Sequence, residues 1–145
     1  MISKTKKFAL AIAIASVVLP VLPASASTSS KYYSWKRATL PIISKTVNDY
    51  SSLTIDLTNG NASSASADLT TLGNDARAIN NHANSPDYTL NLKVNNLAIA
   101  LANLASVGQT TLNGGSLGPW RNALVRWNNA ETAFTNRLSY DNNRW

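Results

Sequence analysis

Between Ala65 and Ala83 the apolar residues return at steps of four and three without a break: Ala65, Leu69, Leu72, Ala76, Ile79, Ala83. An α-helix turns once in about 3.6 residues, so this rhythm gathers all six on one face. A strand would need alternation at every second position, and no segment sustains it. Similar stripes recur in three other segments. Ile43, Val47, Tyr50, Thr54 and Leu57, with Leu53 beside them, form the first. Leu90, Val94, Leu97, Leu101 and Leu104 form the third. Trp120, Leu124, Trp127, Phe134 and Leu138 form the fourth, with Ala123 and Ala130 filling gaps.

Turn signals separate the four segments: Asn59-Gly60-Asn61, Asn84-Ser85-Pro86-Asp87 and Asn113-Gly114-Gly115. These residues favour turns because they tolerate unusual backbone angles or compete for backbone hydrogen bonds. The pattern predicts helices over about 32–58, 62–83, 86–112 and 119–141. Gly60 ends the first, and Pro41 either begins or kinks it. Ser85 caps the third helix, with Pro86 at its first position. Amphipathic helices of similar length with short links favour an all-α, antiparallel, up-down-up-down four-helix bundle, a single domain over 32–145.

The N-terminus reads differently. Lys4, Lys6 and Lys7 precede an apolar run from Phe8 to Leu22, and Ala24-Ser25-Ala26 follows with small residues. That order is the layout of a secretory signal peptide, residues 1–26, cut near Ala26. The run is shorter than the roughly 20 residues of a spanning helix, and Pro20 and Pro23 interrupt its end. Export of a secreted, extracytoplasmic protein without a transmembrane anchor is expected. Residues 27–31 would then form a flexible tail.

The chain has no Cys. A disulfide framework is excluded, so packing alone must stabilise the domain. Three of the 13 Lys and Arg lie in the leader, leaving ten against seven acidic residues, a net charge of +3. That is too mild to imply nucleic acid. It suits weak attraction to acidic wall polymers or anionic lipid heads. The polar surface is largely Asn, Ser and Thr, and Glu131 is the only Glu. Few carboxylates means few groups whose protonation could unfold the protein, which would suit tolerance of acid; compositional drift in a secreted protein is the favoured reading.

No catalytic or cofactor motif emerges. His82 is the only His, and Met1 the only Met. The axial ligand sets of haem-binding bundles are therefore missing, and no cofactor or metal is expected. Asp68, Asp75 and His82 share one flank at seven-residue spacing, about 10 Å of helix rise, and read as a solvated flank. There is no Gly-x-Ser-x-Gly turn, phosphate loop or dinucleotide fingerprint. Glu131 and the scattered Asp residues offer no evident facing pair for glycosidase chemistry. Asn61-Ala62-Ser63 fits the glycosylation acceptor pattern.

Two surfaces stand out. An antiparallel bundle would gather Tyr32, Tyr33, Trp35, His82, Tyr88, Arg137, Tyr140, Arg144 and Trp145 at one end. Such an aromatic, basic end could stack on a ring-bearing ligand and pair with its anionic groups. The competing reading, which is favoured, is a plug of large side chains over the core. On the third helix Tyr88, Leu92 and Ile99 lie opposite the main stripe and could form a partner face. Scattered surface apolar residues are the commoner explanation.

The function expected is a secreted, non-enzymatic binding or interaction module at the cell exterior. Its partner would be a small ligand, an envelope polymer or another protein. The alternatives are a cationic membrane- or envelope-associated protein and, further off, a hydrolase-type enzyme. In that last case His82 would be the acid-base candidate.

Overall fold

A computed structural model describes residues 30–145. The leader expected over residues 1–26, its expected cut near Ala26 and residues 27–29 lie outside the described residues. Four helices fill the rest: α1 (Ser30–Asn59), α2 (Ala62–Asn80), α3 (Tyr88–Leu112) and α4 (Leu117–Arg144). Among the described residues there is no strand, and the four helices pack as a bundle. No described helix is long and apolar enough to cross a membrane.

The stripes face the core. Leu53, Leu57, Leu69, Leu72, Ile79, Leu90, Val94, Leu101, Leu104, Trp120, Trp127 and Phe134 are all buried together. Val47 and Ala130 are half-buried, and Ala83 lies exposed beyond the end of α2. Threonines share the core because their hydroxyls bond back along the helix. Thr46 donates to the Ile42 carbonyl, Thr54 to Tyr50 and Thr111 to Val107. Each bond removes the cost of burying an unpaired hydroxyl.

Backbones of α2 and α3 run close because their facing residues are small. Gly73 lies where a Cβ would stand 3.9 Å from Ala105 Cβ. At Gly108 a Cβ would meet Leu69 Cδ2 at 2.5 Å and Trp120 at 2.9 Å, so only glycine fits. The contact between α1 and α4 is made instead by large rings. Tyr50 lies 6.0 Å from Trp127, and Tyr32 lies 6.3 Å from Trp145.

Several element ends differ from expectation. Residues 30 and 31, expected in a loose tail, belong to α1. Pro41 lies inside that helix and does not begin it. The carbonyl it leaves unbonded, at Arg37, lies on an exposed face where water can replace the bond. Helix α2 stops at Asn80, not Ala83, and α3 begins at Tyr88. Its cap is Asp87, not Ser85: the Asp87 carboxylate accepts from the backbone N–H of Thr89 and Leu90. The Ser85 hydroxyl is already committed to the Asp87 backbone. Helix α4 starts at Leu117 and continues to Arg144, with Pro119 inside its first turn, where a missing N–H costs nothing. Gly60 closes α1 in the left-handed region at φ 77°, as expected.

Candidate functional site

Helix α1 has 30 residues and α2 has 19, so α1 outreaches its neighbour by several turns. The segment linking α2 to α3 fills the difference. Ala83, Asn84, Ser85 and Pro86 lie over Ser34, Trp35 and Ala38. Asn91 locks this link by donating to the Ser85 carbonyl and accepting from the Ser85 N–H. An irregular segment thus closes one end of the core.

Tyr32 and Trp35 are buried, their rings 5.9 Å apart, and Trp145 also stacks on Tyr32. The Tyr32 hydroxyl donates to Asn142 Oδ1 at 2.9 Å, and Lys36 Nζ donates to the same oxygen at 3.1 Å. Lys36 also sits 5.4 Å above the Tyr32 ring and 5.5 Å above Tyr33. Burial lowers its ammonium pKa. Burial and the nearby Asp141 and Asp87 charges push the Tyr32 phenol well above its usual range. These aromatics fill the end of the bundle and leave little ring face for a ligand.

Arg137 is likewise committed inward. Its Nε donates to Asp87 Oδ2 at 2.8 Å, its Nη2 bonds the same oxygen, and Nη2 lies 3.4 Å from Asp141 Oδ1. Its guanidinium also covers Tyr140 at 4.5 Å. Its Nε and Nη2 are thereby spent on Asp87 and Asp141.

Cations facing outward near this end include Lys31, Arg37 and Arg144, with Lys36 half-buried. Among the described residues none of the four has a carboxylate within ion-pair distance. Arg144 lies 4.8 Å over Trp145. The two acids at this end, Asp87 and Asp141, are buried. The end is therefore sealed by aromatics inside and positive outside.

His82 stands in the α2–α3 link, half-buried, with Nδ1 2.6 Å from the Ile79 carbonyl. Among the described residues no three His, Cys, Asp or Glu side chains are placed to hold a metal ion. Tyr88 is 75 % exposed and Ile99 65 %, with Leu92 also exposed. Of these three, only Ile99 borders the 620 Å³ groove between α2 and α3, whose floor includes Gly73, Ala76, Ala98 and Ala105.

The acids are placed less simply than a solvated flank. Asp75 is 5 % exposed and turned toward α1, where Lys45 Nζ donates to it at 2.9 Å. Lys45 also pairs with Asp49 one turn further along α1. The Asp68 Oδ2 atom is buried as well. Burial and the neighbouring Asp56 raise the Asp68 pKa. Spacing along α2 hid these placements, because the groups they meet lie on α1.

Comparison with family models, with curated proteins and with solved structures gives no match for this chain.

Proposed function

We propose that this protein is a secreted binding module whose positive end docks on an anionic polymer of the cell envelope. The observation that carries the reading is the division of labour at that end. Tyr32 and Trp35 are spent on the core, whereas Lys31, Arg37 and Arg144 project without an acidic partner in ion-pair distance among the described residues. Exposed cations whose only nearby acids are buried give a local positive field on a mildly charged protein. An extended polyanion can meet several cations at once, while a small ligand would need a pocket between the rings. Secretion is inferred from the leader pattern of residues 4–26.

The bundle topology proposed with this reading is antiparallel, up-down-up-down. It is supported by links between helix starts and neighbouring helix ends. Ser66 and Gln109 join early α2 to late α3, Arg137 and Asp87 join late α4 to the start of α3, and Tyr32 and Asn142 join early α1 to late α4. That order sets Lys31, Arg37 and Arg144 on one end.

The test is sedimentation of the protein with an insoluble phosphate-bearing wall polymer and with a neutral polysaccharide. Binding to the first alone, lost near roughly 1 M salt where screening falls to about 3 Å, supports the reading. Equal retention on both polymers overturns it. Retention on anionic vesicles but not on the wall polymer would transfer the same surface to a lipid partner.

A further inference from the structure

The seven acidic residues of this chain are arranged in an unusual way. Four form two pairs, each pair sharing one cation across two elements. Asp49 of α1 and Asp75 of α2 share Lys45. Asp87, the cap of α3, and Asp141 of α4 share Arg137. Asp68 of α2 has a buried Oδ2 and is raised by burial and by Asp56 of α1. The seventh, Glu131, lies 7 % exposed in the core.

Two carboxylates that share one cation leave a negative charge uncompensated, and taking up a proton relieves it. The buried oxygens make the need visible: among the described residues, Asp68 Oδ2, Asp75 Oδ2, Glu131 Oε1 and both oxygens of Asp141 receive no hydrogen bond. Asp141 is 0 % exposed, so water does not serve it freely. The cations nearby are few. Among the described residues, Lys45 is the cation in ion-pair distance of Asp49 and Asp75. Arg137 faces Asp87 and Asp141, with Arg144 acting on Asp141 from further away and the Tyr32 hydroxyl also near. Around Asp68 stand Asp56, which holds the Asn61 amide, and Asp49 as a further negative charge. The Glu131 charge acts on Tyr50, whose hydroxyl is buried and makes no hydrogen bond among the described residues.

We infer that this bundle is an acid-adapted fold, most stable in mildly acidic surroundings and loosened as the medium approaches neutrality, because its buried acids, two pairs of which share a single cation, and its buried Glu131 need protons.

The direction follows from linkage. Burial pushes the Glu131 carboxyl up to about 7. Burial, then Asp87, pushes Asp141 up to about 6. Burial, then Asp49, raises Asp75, and burial, then Asp56, raises Asp68. An unfolded chain releases these protons near about pH 4. Between that range and neutrality the folded state therefore binds more protons than the unfolded state, and stability falls as pH rises. Asp49 and Asp87 act oppositely. Burial works to raise them, but hydrogen bonds, from Lys45 to the first and chiefly from Arg137 to the second, hold both below the usual range. Their contribution is lost as pH drops below about 4. The two limbs enclose a maximum at mildly acid pH.

The experiment is thermal unfolding of the purified protein across the pH range, beside the triple variant D75N/E131Q/D141N. Each amide imitates a protonated acid. The wild type is expected to melt at least about 5 °C higher near pH 4.5 than near pH 7.5. The variant is expected to lose most of that difference by melting higher at neutral pH. A wild-type melting point that is level or rises over this interval overturns the inference. If the variant does not fold, carboxyl-carbon NMR of the folded wild type decides: Glu131 titrating in the ordinary carboxylate range also overturns it.

Discussion

Arg137 and Asp87 tie the last turns of α4 to the first turn of α3 through one carboxylate with two tasks. Oδ2 takes the Arg137 Nε at 2.8 Å, while Oδ1 takes the Thr89 N–H at 2.7 Å and caps α3. Breaking the pair strands a buried charge. Arg137→Met should destabilise the protein by about 2 kcal/mol or more at neutral pH. Asp87→Asn keeps a good capping side chain and should cost about 1 kcal/mol less than Asp87→Ala. Urea unfolding of the three variants checks the order. Equal costs for the two Asp87 variants would mean that the cap contributes nothing.

The small-residue contact between α2 and α3 predicts opposite signs for two similar changes. Gly108→Ala places a methyl 2.5 Å from Leu69 Cδ2 and 2.9 Å from Trp120, and should destabilise by about 1–3 kcal/mol through overpacking. Gly73→Ala meets only Ala105 Cβ at 3.9 Å. It should stabilise by about 0.5–1 kcal/mol, because alanine loses less entropy than glycine inside a helix. Both values come from denaturant midpoints at one pH.

Glu131 supplies a third prediction. Its carboxyl is raised to about 7 by burial, so at neutral pH part of the folded population carries a buried charge. Glu131→Met removes that charge and should raise the urea midpoint at pH 8. At pH 4 the wild-type carboxyl is already neutral, and the gain should shrink. The raised pKa fixes this sign: the stability it represents is present below the ordinary carboxylate range and is lost through about pH 7. A gain of equal size at both pH values would trace to packing alone.

The helices were legible because a stripe depends only on residues three and four apart, and Leu69, Leu72, Ala76 and Ile79 are buried as their spacing requires. The ends were harder. Nothing local says that the Ser85 hydroxyl spends itself on the Asp87 backbone, and that contact passes the capping role to Asp87. The groupings of acids across helices fall between these cases. Asp49 and Asp75 each stand 13 residues from position 62, and Asp56 and Asp68 each stand six from it. Such symmetry is the pairing rule of a helical hairpin, so this signal was present in the sequence. The grouping of Asp87 with Asp141 carries no such signal, since it depends on which helix lies beside the start of α3. The aromatic end was legible as a cluster. That Tyr32 and Trp35 turn inward while Lys31 and Arg37 turn outward depends on how the α2–α3 link lies over α1.

The most direct measurement compares the wild type with K31Q/R37Q/R144Q in binding to an anionic wall polymer at low salt. None of the three side chains packs in the core, so the melting temperature should stay within a few degrees. Each cation near a polyanionic surface contributes about 1 kcal/mol, so affinity should fall by at least about tenfold, and the salt dependence should flatten. Undiminished binding by the folded variant would contradict the assignment of the positive end as the docking surface.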